Sequence, residues 1–224
     1  MTTPGAHISM LFFDADGVLY HRINKRQCLD QFLKASTVAS PDSESVWQAT
    51  RAIRDSANRG NAPRDALFDA ILEVYGVTDP DLRQMGRQAL AADATNIALY
   101  DGVVETLLAL QARDIKLGVI TNSVTPSQEK LRWLATQGLE LRWDVFVNSC
   151  EVGERKPEPR IYEIAPAQGG LPAAETAFVG HDIAELATAH TVGMNTIAFQ
   201  APPDTKADRT IAHFTELEAT SPLT

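Results

Sequence analysis

The chain has 224 residues, of which 44% are hydrophobic, and a formal net charge of −9 at neutral pH. That length suffices for one domain with a large insertion or for two modest domains, and the negative balance argues against a broad nucleic-acid-binding face, which needs clustered Lys and Arg; a small anion held in a local pocket remains compatible with it. No apolar run reaches the roughly 18 residues of a membrane-spanning helix, residues 1–7 lack the charged start and apolar core of a secretory signal, and the two cysteines, Cys28 and Cys150, lie far apart with no metal-ligand spacing, so the expectation is a cytoplasmic protein with reduced thiols and no membrane association.

The first predicted element is Ile8-Ser9-Met10-Leu11-Phe12-Phe13, an apolar run that stops at Asp14-Ala15-Asp16-Gly17. Its lack of polar alternation predicts a strand covered on both faces, as in a parallel α/β sheet. Gly17 permits a tight turn out of the sheet. Two carboxylates one residue apart are costly unless a cation or a shared proton relieves them. The plainer alternative is an N-cap followed by a loop aspartate.

From residue 20 the pattern becomes helical. Spacing predicts helices over 27–39 and 44–58, the second opened by Pro41-Asp42-Ser43. Arg59-Gly60-Asn61-Ala62-Pro63 reads as a turn, with Pro63 in the first position of a third helix that Gly76 stops. Asp79-Pro80-Asp81 opens a fourth. This block, residues 20–97, is predicted to be an inserted helical domain, with 1–19 and 98–224 forming the α/β core.

After Asp101-Gly102 the chain alternates helix and short apolar strand, which is the signature of βα units and a doubly wound, mostly parallel Rossmann-like sheet. Strands are predicted over 115–122, 143–148, 176–180 and 195–199, and helices over 103–113, 126–137, 159–168 and 183–192. Polar residues gather just past the strand ends, where open parallel sheets bind ligands. They are Asp14 and Asp16; Thr121, Asn122 and Ser123; Lys156; and His181, Asp182 and Glu185. A nucleophilic carboxylate, a second one to shuttle protons, hydroxyl and amide donors and a fixed ammonium are what phosphoryl transfer through a covalent intermediate requires. His7, His190 and His213 show no ligand spacing. Trp47, Trp133 and Trp143 read as packing residues.

Four stretches in order, Asp14-Ala15-Asp16-Gly17-Val18-Leu19, Ile120-Thr121-Asn122-Ser123, Gly153-Glu154-Arg155-Lys156-Pro157 and Val179-Gly180-His181-Asp182-Ile183-Ala184-Glu185, resemble the motifs of the haloacid dehalogenase superfamily, in its branch with a helical cap inserted after the first motif. The resemblance implies that Asp14 attacks phosphorus and becomes an aspartyl phosphate, and that Asp16 protonates the leaving oxygen and then activates water. It also implies that Thr121 and the backbone after it, at Asn122, hold phosphate oxygens and that Lys156 neutralises charge on nucleophile and phosphoryl group. Mg²⁺ would bridge Asp14, the backbone carbonyl of Asp16 and an acid of the last motif. Asp16 favours the phosphatase branch over dehalogenation of a 2-haloacid, because a halide leaves without a proton.

The last motif departs from the pattern, with imidazole at 181 where a carboxylate is usual, and Mg²⁺ prefers oxygen ligands. One resolution is a loop shift that lets Asp182 ligate Mg²⁺, with Glu185 in the outer shell and His181 orienting it. Weaker metal binding or a softer divalent metal are the others. In the insert, Arg64 resembles the arginine that ends the substrate loop of β-phosphoglucomutase, and is either a ligand for the substrate phosphate or a second anion, or an ordinary first-turn arginine. His21 and Arg22 fall on the family's mobile segment beside the site. The expected activity is hydrolysis of a small phosphorylated metabolite by a monomer or homodimer. A sugar-phosphate mutase and a non-catalytic phosphate-binding or regulatory protein are the alternatives.

Overall fold

In a computed structural model, which describes residues 7–38 and 41–219, strand β1 (Met10–Phe13) lies near the middle of a six-stranded sheet. The other strands are β4 (Lys116–Thr121), β5 (Val145–Asn148), β6 (Thr176–Gly180), β7 (Asn195–Phe199) and β8 (Arg209–Ile211), in the order β5-β4-β1-β6-β7-β8. Every pairing is parallel. The reason β1 shows no polar alternation is visible in its two faces. Leu11 and Phe13 pack into one apolar cluster and Met10 and Phe12 into the other, so all four are fully buried. The chain leaves β1, returns as β4 on one side and later as β6 on the other. That makes the carboxyl end of β1 the point where strand order reverses and a crevice opens.

The helices of the core are α5 (Val103–Ala112), α6 (Ser127–Thr136), α7 (Ser149–Val152), α8 (Pro159–Gly169) and α9 (Ile183–Thr191). The insert consists of α1 (Gln27–Ala35), α2 (Ser43–Asn58), α3 (Arg64–Val74) and α4 (Pro80–Thr95), which share a third apolar cluster built from Leu29, Phe32, Leu67, Ile71 and Leu72 among others. α1 is shorter than its sequence pattern predicts. It ends at Ala35, and Thr37 has a positive φ of 55° that breaks the helix; Ala39, the predicted end, lies outside the described residues. The α1 amino end has no cap of its own. Asp93 of α4 accepts from the N–H groups of Cys28 and Leu29 at 2.8 and 2.9 Å, so a buried carboxylate from across the bundle does the capping.

Insert and core are joined by an antiparallel ribbon, β2 (Tyr20–Arg22) with β3 (Ile97–Leu99). Among the described residues no helix is long and apolar enough to cross a membrane.

Candidate active site

Asp14 follows β1 directly and is 7% exposed. Its backbone N–H still donates to Val179 of β6 at 3.0 Å, so the residue is locked to the sheet. Oδ1 accepts from the Ala15 N–H at 2.7 Å and meets Lys156 Nζ at 2.6 Å. Lys156 is 2% exposed and its Nζ also reaches Glu185 Oε2 at 2.7 Å. Burial alone would lower this ammonium, but Asp14 and Glu185 outweigh it and hold Lys156 above its usual range. Glu185 is in turn pushed up, first by burial and despite Lys156. One ammonium between two carboxylates thus stays charged, and the pair of acids carries the remaining strain.

Lys156 is aimed by its backbone. Asn122, just past β4, donates through Nδ2 to the Lys156 carbonyl at 2.9 Å and accepts the Lys156 N–H on Oδ1 at 2.8 Å. The side chain of Asn122 is thus taken by the lysine loop, whereas the expected phosphate contact is with the backbone after Thr121. Only the main chain of Asn122 is left for an anion. Ser149 Oγ accepts the Ser123 N–H at 3.0 Å and so fixes the next residue of the same loop.

Asp16 is half-exposed on the turn after β1 and accepts from Arg22 Nε at 2.8 Å, which ties it to ribbon strand β2. Gly17 has φ of +88°, and a Cβ there would stand 2.4 Å from His181 Cε1. The imidazole thus lies directly on the turn. His181 Nδ1 is buried without a hydrogen-bond partner and sits 3.7 Å from Asp14 Oδ2. His21 is exposed and its ring packs against Tyr100 with centroids 5.1 Å apart.

Thr121, the last residue of β4, is buried and accepts a hydrogen bond from Lys130 Nζ at 3.0 Å. Lys130, on α6, is only 3% exposed, lies over the Tyr20 ring at 5.8 Å and lines the cavity beneath the insert. Burial, partly countered by Asp14, lowers its pKa to about 8. Sequence reading missed this residue. Its signal was a lysine four positions before Leu134, on the buried stripe of an otherwise ordinary amphipathic helix.

Asp182 and Arg64 each have a structural partner. Asp182 is the N-cap of α9: Oδ1 accepts the Glu185 N–H at 3.0 Å, and the residue is exposed. An aspartate before a helix satisfies an orphan amide at no strain. Arg64 carries its charge to Glu129 of α6 at 2.7 Å and lies over Phe68, so it bridges insert to core and lines no part of the cavity beneath the insert.

Mg²⁺ demands a near-octahedral shell of oxygens. Among the described residues no group of three or more His, Cys, Asp or Glu converges in a manner that could hold a metal ion. Asp14 Oδ2 faces an imidazole, Glu185 is spent on Lys156 and Asp182 on its helix. As placed, no three of these side chains converge on one ion, and a magnesium ion would have to rest on Asp14, the Asp16 carbonyl and one further acid.

The profile of the haloacid dehalogenase-like hydrolases matches residues 8–193. A glyceraldehyde 3-phosphate phosphatase of Methanocaldococcus jannaschii is 28% identical over 200 residues, covering 85% of this chain and 84% of the relative. A ribulose-1,5-bisphosphate 5-phosphatase of Halopiger xanaduensis is 30% identical over 150 residues, covering 66% of this chain and 61% of the relative. Among solved structures, a 2-haloacid dehalogenase from Pseudomonas syringae pv. Tomato DC3000 superposes with a TM-score of 0.72 at 21% identity, over 95% of this chain and 97% of that one. At that identity the likeness concerns the fold alone.

Proposed function

The chain belongs to the haloacid dehalogenase-like hydrolases and is a phosphatase of that family, and from that premise we propose that it hydrolyses a small phosphomonoester through an aspartyl phosphate at Asp14. The observation that carries this is the unequal state of the two Asp14 oxygens. Oδ1 is fixed by Ala15 N–H and Lys156, whereas Oδ2 accepts no hydrogen bond among the described residues. A carboxylate held by one oxygen with the other free is oriented for in-line attack.

In this reading Oδ2 attacks phosphorus as the bond from phosphorus to the leaving oxygen breaks, and Asp16 supplies the proton that the leaving oxygen needs. A water then attacks the same phosphorus, Asp16 takes its proton, and the bond to Asp14 breaks to release inorganic phosphate. Asp16 is half-exposed and joined only to Arg22, so it can reach the leaving group and exchange protons with solvent. Lys156 balances charge on Asp14 and the phosphoryl oxygens, and Lys130 with Thr121 supplies cation and hydroxyl on the other side. The insert covers the leaving group and sets substrate choice. The presence of Asp16 supports phosphate ester over 2-haloacid as substrate.

Rapid-quench turnover of a phosphomonoester, followed by mass spectrometry of the Asp14 peptide, tests the reading. The expected result is a +80 Da adduct (the mass of one HPO₃ group, about 80) on Asp14 that decays as inorganic phosphate appears, and its loss in Asp14→Asn. Phosphate release without an adduct, or an isomerised ester without release, would overturn it.

A further inference from the structure

A cavity of about 520 Å³ lies between Asp16 and the helical insert, a volume suited to one small metabolite. Five cationic side chains line it (Arg22, Lys25, Arg26, Arg54 and Lys130) against two carboxylates, although the whole chain is strongly negative. Both carboxylates are committed, Asp16 to Arg22 and Asp93 to the α1 amides. Lys130 stands at the core end, beside Thr121. Arg54 stands at the insert end.

Arg54 is on the inward stripe of α2, four residues after buried Thr50 and eight after buried Val46. Arg26, Arg59, Arg64, Arg83 and Arg87 of the same block each have an acid partner, and Arg51 is exposed beside Trp47. Arg54 has none. Its neighbour Asp55 is taken by Arg59 and Arg155. The guanidinium makes one long hydrogen bond, from Nη2 to Thr50 Oγ1 at 3.3 Å, and its Nε is buried without an acceptor. Burial lowers its pKa and no carboxylate acts against that. Arginine in a half-buried site is matched to a bidentate oxyanion, and among the described residues no protein group supplies one.

We propose that Arg54 forms a second anion subsite at the insert end of the cavity, which takes a carboxylate or second phosphate at the far end of the phosphomonoester. The assignment of the other end to the reacting phosphoryl group rests on the phosphatase reading above. The apolar wall between the two ends, Val46, Leu67, Phe68 and Ile71, suits a short carbon skeleton.

Calorimetric titration of the Asp14→Asn chain, with and without Arg54→Gln, tests the subsite with three probes that share a three-carbon skeleton. These are glycerol 3-phosphate, 3-phosphoglycerate and glycerol 1,3-bisphosphate. One or both doubly anionic probes should bind about ten- to a hundredfold more tightly than glycerol 3-phosphate, and the winner identifies the anion. Arg54→Gln should abolish that preference while changing glycerol 3-phosphate affinity by no more than about threefold, and Arg54→Lys should restore part of it. Equal affinities for all three probes, a preference that survives Arg54→Gln, or an equal loss for all three in that variant would overturn the proposal. Phosphate release by the unmodified chain is measured alongside. Its absence with the preference intact would sink the phosphatase reading and leave the subsite standing.

Discussion

Replacing Lys130 by Met is the most informative single change, because the folded chain carries this ammonium at a measurable cost. Its pKa moves from 10.5 to about 8 with burial as the leading cause. At roughly 1.4 kcal/mol per tenfold, the charged form is penalised by about 3 kcal/mol. The folded value lies below the unfolded one, so between them the unfolded chain binds a proton that the folded chain does not, and stability rises with pH across that interval. The penalty is nearly complete at pH 7 and falls to about 1 kcal/mol at pH 9.5. Met matches the length of Lys without charge. It forfeits the bond to Thr121, about 1 kcal/mol at either pH. Urea unfolding of both chains at the two pH values should therefore show the Lys130→Met advantage shrinking by about 2 kcal/mol on going from pH 7 to 9.5. Over the same series kcat/KM for a phosphomonoester should fall about a hundredfold in the variant, and the wild-type decline centred near pH 8 should disappear. A stability difference between the chains that is independent of pH would refute the reasoning.

Asp182→Asn keeps an N-cap and should retain turnover and its response to added Mg²⁺ within about threefold, while Asp182→Ala should lose about 1 kcal/mol in thermal unfolding; a Mg²⁺ response abolished in Asp182→Asn would return that residue to the metal. Asn122→Ala frees both main-chain groups of Lys156, so steady-state kinetics should show kcat down about a hundredfold with KM little changed. Gly60 has φ of +69°, and a Cβ there would meet the Cys150 carbonyl oxygen at 2.1 Å. Two backbones cannot yield as a side-chain tip can, so Gly60→Ala should lift the 59–63 loop off α7, raise KM and cost about 1–3 kcal/mol in urea unfolding.

The parts of this chain that were legible in sequence are those where one physical cause dominates. β1 was readable because burial on both faces requires an unbroken apolar run, and Asp14 because that run stops at an acid. Strands β2, β3 and β8 have three residues each, too few for alternation to register, and their pairing depends on partners far away in sequence. The site divides in the same way. Lys156 and Asp14 were found by motif, and the structure sets them 2.6 Å apart. Asn122 was found with the right location, but the use of its amide depends on where the Lys156 loop comes to rest. Asp182 was read as a displaced ligand, and the bond it accepts from the amide three residues on depends on the helix start, which the motif alone does not show. Lys130 and Arg54 were passed over because each occupies a helix position that spacing assigns to packing, and the spacing was correct: both face inward.

What separates these two cations from their neighbours is compensation. Arg59 with Glu158, Arg155 with Asp55 and Arg64 with Glu129 all cross from insert to core. Each of these pairs is part-exposed, where an ion pair contributes at most about 1 kcal/mol, so the contacts fix register without holding the insert shut. Among the described residues Lys130 and Arg54 face the cavity without a carboxylate in ion-pair contact, and desolvated cations of that kind gain most from an incoming anion. A substrate charged at both ends would therefore be held chiefly by groups that destabilise the empty protein. Binding strength and closure of the insert then have a common source, because the ligand supplies the negative charge that the cavity lacks.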